Sequence, residues 1–447
     1  MKRVITYGTY DLLHYGHIKL LERAKALGDY LIVGVTADNF DKNRGKINVQ
    51  QSLMERIENV RSTGLADEII VEEYEGQKID DIKRLGIDIF TVGSDWVGRF
   101  DYLNKYCKVV YLERTAGISS TEIRSEKREI KLGLIGDAEL LNKFEVECSY
   151  VNGIKVNGIC TNDFTKYNER IKNLPIVTND LDKLLANVDA VYIVTNPINS
   201  YEIIKQSLLQ QKHVLCESPI TVSLEQWNEL QNLAKKNNCV IMDAIKTAYS
   251  TAYYRLLLLV KSGIIGDVVS VDSVCTSLKN LEMESEGKNT TTWNSICAWG
   301  PTAMLPIFQI LGKKYQSYQI TSRIVNEANM FDAFTKISFV YPHAVASLKV
   351  GKGIKSEGEL IVSGTKGYIY VPAPWWKTDY FEVRYENAEN NKRYFYQLDG
   401  EGIRYELVSF LKAIESRDYI YNISLSDSEN IVKIIESYYN KSNFIQI

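Results

Sequence analysis

The chain has 447 residues, of which 45% are hydrophobic and 24% charged, and its formal net charge is −3. This length suffices for two or three domains with sizeable cores. The near-neutral charge and the lack of a Lys/Arg-rich stripe in the sequence give no indication of a surface for polymeric nucleic acid, and no such partner is predicted. The seven cysteines stand singly and indicate neither a metal site nor disulfides. The sequence has neither a signal-peptide pattern nor an apolar run of bilayer length, which predicts a cytoplasmic protein without a membrane partner.

The first predicted strand leads directly into a turn that carries two of the four histidines. Residues 3–7 are apolar, the turn reads Gly8-Thr9-Tyr10-Asp11-Leu12-Leu13-His14-Tyr15-Gly16-His17, and a helical pattern follows from Ile18. Glycines let the backbone approach an anion, the first amides of a helix point at it, and histidines at i and i+3 can bind its oxygens from one side. The turn is therefore a candidate phosphate site, although His-x-x-His pairs can also be purely structural.

This turn resembles the His-x-Gly-His signature of the nucleotidyltransferase superfamily, in the wording of the glycerol-3-phosphate cytidylyltransferases. The resemblance implies that His14 and His17 are catalytic and stabilise the α-phosphate and the bridging oxygen of CTP. It assigns acceptor binding to Asp11. It assigns nucleotide binding to Tyr7, Gly8, Thr9, Tyr10 and Gly16.

Strand patterns then alternate with helical patterns, with strands at residues 30–36, 68–73, 87–92 and 108–112 and a helix at 79–85. This alternation predicts a parallel sheet covered by helices on both faces, with ligands bound at the carboxyl ends of its strands.

A basic loop, Asp41-Lys42-Asn43-Arg44-Gly45-Lys46, follows the second strand. Such a charge run is commonly a solvated loop, but the family resemblance assigns Arg44 and Lys46 to the acceptor and Lys46 also to catalysis. It assigns Arg56 to the acceptor as well. A second family arginine falls on Gly64 in this chain, and Arg61 is a candidate substitute for it.

Two further stretches follow strand ends. The first, Gly93-Ser94-Asp95-Trp96, resembles the family element Gly-Asp-Asp-Trp, which assigns Gly93 and Asp95 to the nucleotide and Trp96 to the acceptor. The second, residues 114–123, combines an arginine, a glycine and three hydroxyl residues at a predicted helix start, which makes a second anion site. It resembles the family's Arg-Thr-x-Gly-Ile-Ser-Thr-Thr element. The resemblance implies that Arg114 takes part in catalysis and in nucleotide binding. It implies nucleotide binding also for Gly117, Ile118, Ser119, Ser120 and Thr121.

A new series of strands begins at Ile130 and resembles the Gfo/Idh/MocA oxidoreductases. Several residues argue against redox activity and NAD(P) binding. The dinucleotide loop keeps one glycine, Gly136, and adds Asp137 and Glu139 near the expected pyrophosphate. Ser218 replaces the family's catalytic lysine, and Ala298-Trp299-Gly300-Pro301-Thr302 replaces its Asp-x-Gly-x-His element. Lys246 is a candidate substitute proton donor and keeps the active alternative open.

The predicted fold is α/β, with a Rossmann-like nucleotidyltransferase domain at residues 1–128, a second Rossmann-like domain at 129–245, and an α+β open-sheet domain at 246–447. The leading hypothesis is a cytidylyltransferase that makes a CDP-polyol from CTP and a small polyol phosphate, with glycerol phosphate as the first choice. CTP is expected to bind together with Mg²⁺. The family implies that the CDP-polyol is used to build a cell-surface polymer. The family implies a homodimer or higher homo-oligomer. Two alternatives remain open: a bifunctional enzyme that also reduces a keto-sugar phosphate with NAD(P)H, and a non-catalytic nucleotide-sensing scaffold.

Overall fold

The computed structural model describes residues 1–37, 49, 51–74, 76–113, 129–151, 153–279, 281, 293–396, 398–415 and 422–447. The chain forms two compact units, residues 1–129 with 150–153 and residues 130–149 with 154–447. A further boundary between residues 245 and 246 stays a prediction.

The first unit is built around a five-stranded sheet in the order β3-β2-β1-β4-β5, in which every neighbouring pair is parallel. Apolar clusters cover both faces of the sheet, with Val4, Val33 and Ile57 on one and Ile5, Phe90 and Leu103 on the other. The elements of this unit are β1 (Arg3–Gly8), α1 (Tyr15–Lys25), β2 (Tyr30–Thr36), α2 (Leu53–Ser62), β3 (Glu68–Glu72), α3 (Gln77–Leu85), β4 (Ile89–Gly93) and β5 (Lys108–Leu112).

The strand order of the first unit places a topological switch point at β1. After β1 the chain continues to β2 on one side, and after β4 it continues to β5 on the other. A crevice therefore opens between the carboxyl ends of β1 and β4. The histidine-bearing turn follows β1, and the stretch from Ser94 to Trp96 follows β4. Both predicted ligand-binding stretches therefore lie at the edge where such sheets bind ligands.

The second unit begins with a six-stranded sheet in the order β11-β10-β9-β6-β7-β8, again parallel throughout. The elements of this part are β6 (Ile130–Gly136), α4 (Leu140–Cys148), β7 (Ile154–Cys160), α5 (Glu169–Lys172), β8 (Ile176–Thr178), α6 (Leu181–Leu185), β9 (Ala190–Val194), α7 (Pro197–Leu209), β10 (His213–Glu217), α8 (Leu224–Lys236) and β11 (Ile241–Ala244).

The rest of the second unit contains a nine-stranded, mainly antiparallel sheet in the order β19-β18-β17-β16-β12-β15-β14-β13-β20. Its elements are α9 (Thr251–Lys261), β12 (Val268–Thr276), α10 (Ser295–Leu311), β13 (Ser317–Asn326), β14 (Phe331–Val340), β15 (Val345–Gly351), β16 (Leu360–Gly364), β17 (Tyr368–Val371), β18 (Tyr380–Arg384), β19 (Lys392–Phe395), α11 (Ile403–Glu415), α12 (Leu425–Tyr439) and β20 (Phe444–Gln446). These sheets confirm the predicted fold class. None of the helices in the described ranges is both long and apolar enough to cross a bilayer.

Candidate active site

The turn after β1, residues 8–17, is held in an unusual backbone conformation, and we call it the signature loop. Tyr10 and Leu12 have φ angles of 53° and 49°, in the left-handed region that side chains other than glycine rarely adopt. The loop is tied to the segment before α2, since Leu12 N donates to Gln51 Oε1 at 2.7 Å and Gln51 N donates to Asp11 Oδ1 at 2.8 Å. Asp11, predicted to bind the acceptor, is buried.

His14 occupies the N-cap position of α1. Its Nδ1 accepts a hydrogen bond from Gly16 N at 3.1 Å, which satisfies one of the unpaired amides at the helix start. Because Nδ1 accepts, the proton of the neutral ring lies on Nε2, which is therefore a donor. Partial burial lowers the pKa of His14 from its usual 6.5, so the neutral form prevails at neutral pH. The two nitrogens of this ring therefore differ, since Nδ1 caps the helix and Nε2 carries the proton of the neutral ring.

His17 lies one turn further along α1 and stacks on His14. The ring centroids are 3.9 Å apart and the planes differ by 22°. Tyr10 contacts His17 edge-on, with 5.6 Å between the ring centroids. The predicted histidine pair is thus a single stacked unit at the start of α1, beside the end of β1.

Arg56 lies in α2 and is fully buried. Its guanidinium donates to three backbone carbonyls, those of Thr9, Thr36 and Gln51. Arg61, on the same helix, is exposed and forms an ion pair with Glu58. Gly64 lies beyond the end of α2 with a φ of +67°, so the position of the missing family arginine falls outside the helix.

The stretch after β4 forms a short 3-10 helix, Ser94–Trp96. Among the described residues, a Cβ added to Gly93 would meet no heavy atom within 4 Å. Trp96 packs near Phe100, with 5.8 Å between ring centroids, and the Arg99 guanidinium lies over its ring at 5.4 Å. The indole is therefore held in place beside the crevice, and Asp95 is exposed next to it.

Several predicted site residues lie outside the described residues: Arg44, Lys46, Arg114, Gly117, Ile118, Ser119, Ser120 and Thr121. The second anion site therefore stays a prediction, and the roles of the described residues are proposals taken up below.

A buried charged cluster beside the Tyr7 ring was not predicted from the sequence. Lys78, on α3, is 4% exposed and forms an ion pair with Glu72, which is 1% exposed, at the end of β3. Its Nζ lies 4.5 Å from the centroid of the Tyr7 ring, and Tyr7 OH donates to Asp81 at 2.9 Å. The available signal in the sequence was the group of polar residues Gln77, Lys78 and Asp81 on an amphipathic helix. The Tyr7 ring lies in this cluster, and its predicted contact with the nucleotide stays a prediction.

The second unit has its own switch point, between β6 and β9. Gly136 ends β6 with a φ of +136°, and a Cβ there would come within 2.1 Å of Val194 O. Asp137 Oδ1 accepts from Thr161 Oγ1 at 2.6 Å and from Asn162 N at 2.8 Å, which ties it across the carboxyl ends of β6 and β7. Glu139 precedes α4. Asp137 and Glu139 thus belong to the turn at which a Rossmann fold binds pyrophosphate, and their negative charges oppose the binding of a dinucleotide there.

The residues at the position of the family's proton donors form a different cluster in this unit. Ser218 is buried after β10. Glu217 accepts from Tyr192 OH at 2.5 Å, and its Oε1 lies 3.7 Å from Lys246 Nζ. Glu406, on α11, is fully buried, and neither of its oxygens has a hydrogen-bond partner in the described part of the chain. Burial and the Glu217 charge raise the pKa of Glu406 well above its usual 4.5.

The fold and the histidine-bearing loop at its switch point define a nucleotidyltransferase. Family comparison agrees: residues 5–126 match the model of the cytidylyltransferase-like family, and residues 132–244 match that of an oxidoreductase family with an NAD-binding Rossmann fold. Both resemblances seen in the sequence are confirmed.

Individual relatives narrow the class. The chain is 52% identical over 126 residues to glycerol-3-phosphate cytidylyltransferase from Bacillus spizizenii, covering 28% of this chain and 97% of that protein. It is 49% identical over 130 residues to the enzyme of the same name from Staphylococcus aureus, covering 28% and 95%. The chain therefore belongs to the cytidylyltransferase-like family.

The second unit resembles a solved 3-ketoreductase from Actinomadura kijaniata, whose structure contains NADP and TDP-benzene. The TM-score is 0.63 at 14% sequence identity, covering 72% of this chain and 100% of that one. A likeness at this identity establishes the fold of the unit.

Proposed function

We propose that the chain transfers CMP from CTP to glycerol phosphate, which gives CDP-glycerol and pyrophosphate. The observation that carries the proposal is the stacked pair of His14 and His17 at the switch point of a parallel sheet, in a unit about half identical to glycerol-3-phosphate cytidylyltransferases. We further propose that the protein is cytoplasmic and that its product serves the synthesis of a cell-surface polymer, as the family resemblance implies.

The reaction forms one P–O bond and breaks another. An oxygen of the acceptor phosphate attacks the α-phosphorus of CTP, and the bond between the α-phosphorus and the bridging oxygen breaks as pyrophosphate leaves. Such a transition state depends on positioning and charge stabilisation. His14 Nε2 donates to an α-phosphate oxygen, and His17 donates to the bridging oxygen. Gly8 and Gly16 let the backbone of the signature loop approach the phosphates.

Magnesium enters as part of the substrate, bound to the triphosphate. In the described ranges no three His, Cys, Asp or Glu side chains are grouped so as to hold a metal ion, so we assign the ion to phosphate oxygens and water, which suit Mg²⁺. We assign the remaining triphosphate contacts to Lys46, Arg114 and residues 117–121. Further nucleotide contacts are assigned to Thr9, Tyr10, Gly93 and Asp95. The acceptor is assigned to Asp11, Arg44 and Trp96.

We infer that the second unit does not transfer hydride. Two features support this: Asp137 bridges the strand ends where pyrophosphate would lie, and the buried Ser218 offers no proton donor to a substrate. We propose that this unit instead dimerises the chain through its nine-stranded sheet, on which the paired residues Val340 and Val345 are exposed. A mass measured by light scattering during size-exclusion chromatography tests the dimer.

The proposed reaction is tested by incubating the full chain with Mg·CTP and a panel of acceptors: glycerol 1-phosphate, 2-phosphate and 3-phosphate, and longer polyol phosphates. Phosphorus NMR should show pyrophosphate and a CDP-polyol, with one glycerol phosphate preferred. The proposal would be overturned if none of these acceptors gave a product. In parallel, NADH or NADPH is incubated with ketose phosphates, and steady cofactor oxidation would overturn the redox-inactive assignment.

A further inference from the structure

The contacts of Arg56 point away from substrate binding. Its side chain is 0% exposed. Nη1 donates to Thr9 O at 2.7 Å and to Thr36 O at 2.8 Å, and Nε donates to Gln51 O at 3.0 Å. These carbonyls belong to three separate segments, namely the signature loop, the end of β2, and the residue before Ser52, the N-cap of α2.

This arrangement uses the shape of the guanidinium as well as its charge. A planar fork of donors can reach three carbonyls at once, whereas a lysine ammonium has one compact centre on a flexible stem. The three carbonyl dipoles also stabilise the positive charge inside the protein, where an unsatisfied donor would be costly. An acceptor phosphate could bind Nε or Nη1 only by displacing a carbonyl that these nitrogens already bind.

The signature loop needs such a restraint. Its residues Tyr10 and Leu12 hold a left-handed backbone conformation that is strained for residues other than glycine. Gln51 acts from the same segment, since its amide groups bond Asp11 and Leu12 while its carbonyl accepts from Arg56. Arg56 and Gln51 thus form one connection between α2 and the loop that ends at His14 and His17.

We propose that Arg56 is a positioning residue that fixes the signature loop, and that α2 holds the catalytic loop rather than the phosphate of the acceptor. The remaining features of α2 agree with this. Arg61 is exposed and paired with Glu58, and Gly64 lies past the helix end. The inference deepens the proposed function and rests on it for the reaction assayed.

The test compares Arg56→Lys and Arg56→Gln with the wild-type chain, and uses Ser62→Ala, at an exposed position of the same helix, as the control. We expect both Arg56 variants to lose about 10²-fold in kcat, since a small displacement of catalytic groups costs that much, with the KM for glycerol phosphate unchanged. Hydrogen exchange of residues 7–17 should accelerate in both. Ser62→Ala should match the wild type. The proposal would be overturned if Arg56→Gln raised the KM for glycerol phosphate without changing kcat or hydrogen exchange, and if Arg56→Lys restored that KM.

A second measurement needs no variant to be active or stable. In wild-type protein labelled with ¹⁵N-arginine, the Arg56 Nε resonance should be protected from exchange and should not shift when glycerol 3-phosphate is added with or without CTP. A shift that saturates with glycerol 3-phosphate would identify Arg56 as an acceptor ligand and overturn the proposal. If the wild-type chain makes no CDP-glycerol, the proposed function fails, and the exchange of residues 7–17 still decides the role of Arg56.

Discussion

The imidazole rings of His14 and His17 stack with their centroids 3.9 Å apart. Two positive charges at this distance repel each other, so the stack disfavours the state in which both rings are protonated. The hydrogen bond from Gly16 N to His14 Nδ1 favours the neutral form of that ring. The pair thus presents at least one neutral imidazole donor to the substrate.

We predict that His14 titrates below pH 6.5 in the free protein, because burial lowers its pKa. The unfolded chain then takes up the proton more readily than the folded one, so this residue reduces stability as the pH falls below about 6.5. An NMR titration, with the resonance assigned by its loss in His14→Asn, measures the midpoint. A midpoint above 6.5 would contradict this description of the site.

The two functions of His14 can be separated by substitution. His14→Ala removes the N-cap and should cost about 1 kcal/mol of folding free energy, whereas His14→Asn restores a capping oxygen and should retain most of that stability. Both should lose at least about 10²-fold in kcat, since each removes the Nε2 donor. Thermal unfolding and initial rates measure the two effects. Full activity in His14→Asn would show that the residue only caps the helix.

Sequence patterns predicted much of the first unit because its signals are local. The strand of residues 108–112 follows from an apolar run, and Lys108–Leu112 is observed as predicted. The helical pattern was predicted from Ile18, whereas α1 begins three residues earlier, at Tyr15. The contacts of Arg56 could not be predicted, since Thr9, Thr36 and Gln51 converge on it only after three segments fold together. The stack of His14 on His17 likewise depends on side-chain rotamers that spacing alone does not fix.

Restoring the family arginine at Gly64 should not help the enzyme. Gly64 has a φ of +67°, so Gly64→Arg should cost about 1–2 kcal/mol. Because α2 has already ended, the KM for glycerol phosphate should not fall. Gly64→Ala is the control for backbone strain without the charge. Chemical denaturation and steady-state kinetics measure both effects, and a lower KM in Gly64→Arg alone would mean that the added guanidinium reaches the acceptor.

Glu406 should destabilise the second unit at alkaline pH. Its pKa is raised well above the usual value of 4.5, so the folded chain holds the proton more tightly and stability falls as the pH rises above that value. Glu406→Gln removes this titration. We expect its melting temperature to exceed that of the wild type at pH 8, with a smaller difference at pH 6. Glu415→Gln, at the end of the same helix, is the control. A difference independent of pH would contradict the assignment.

The most direct test of the central claim is the initial rate of pyrophosphate release from Mg·CTP and glycerol 3-phosphate by the full chain and by His17→Ala. We predict steady release by the wild type that requires the acceptor, and a loss of at least about 10²-fold in the variant. Equal rates in the two proteins, or release that does not depend on glycerol 3-phosphate, would contradict the assignment of the stacked histidines as the catalytic centre.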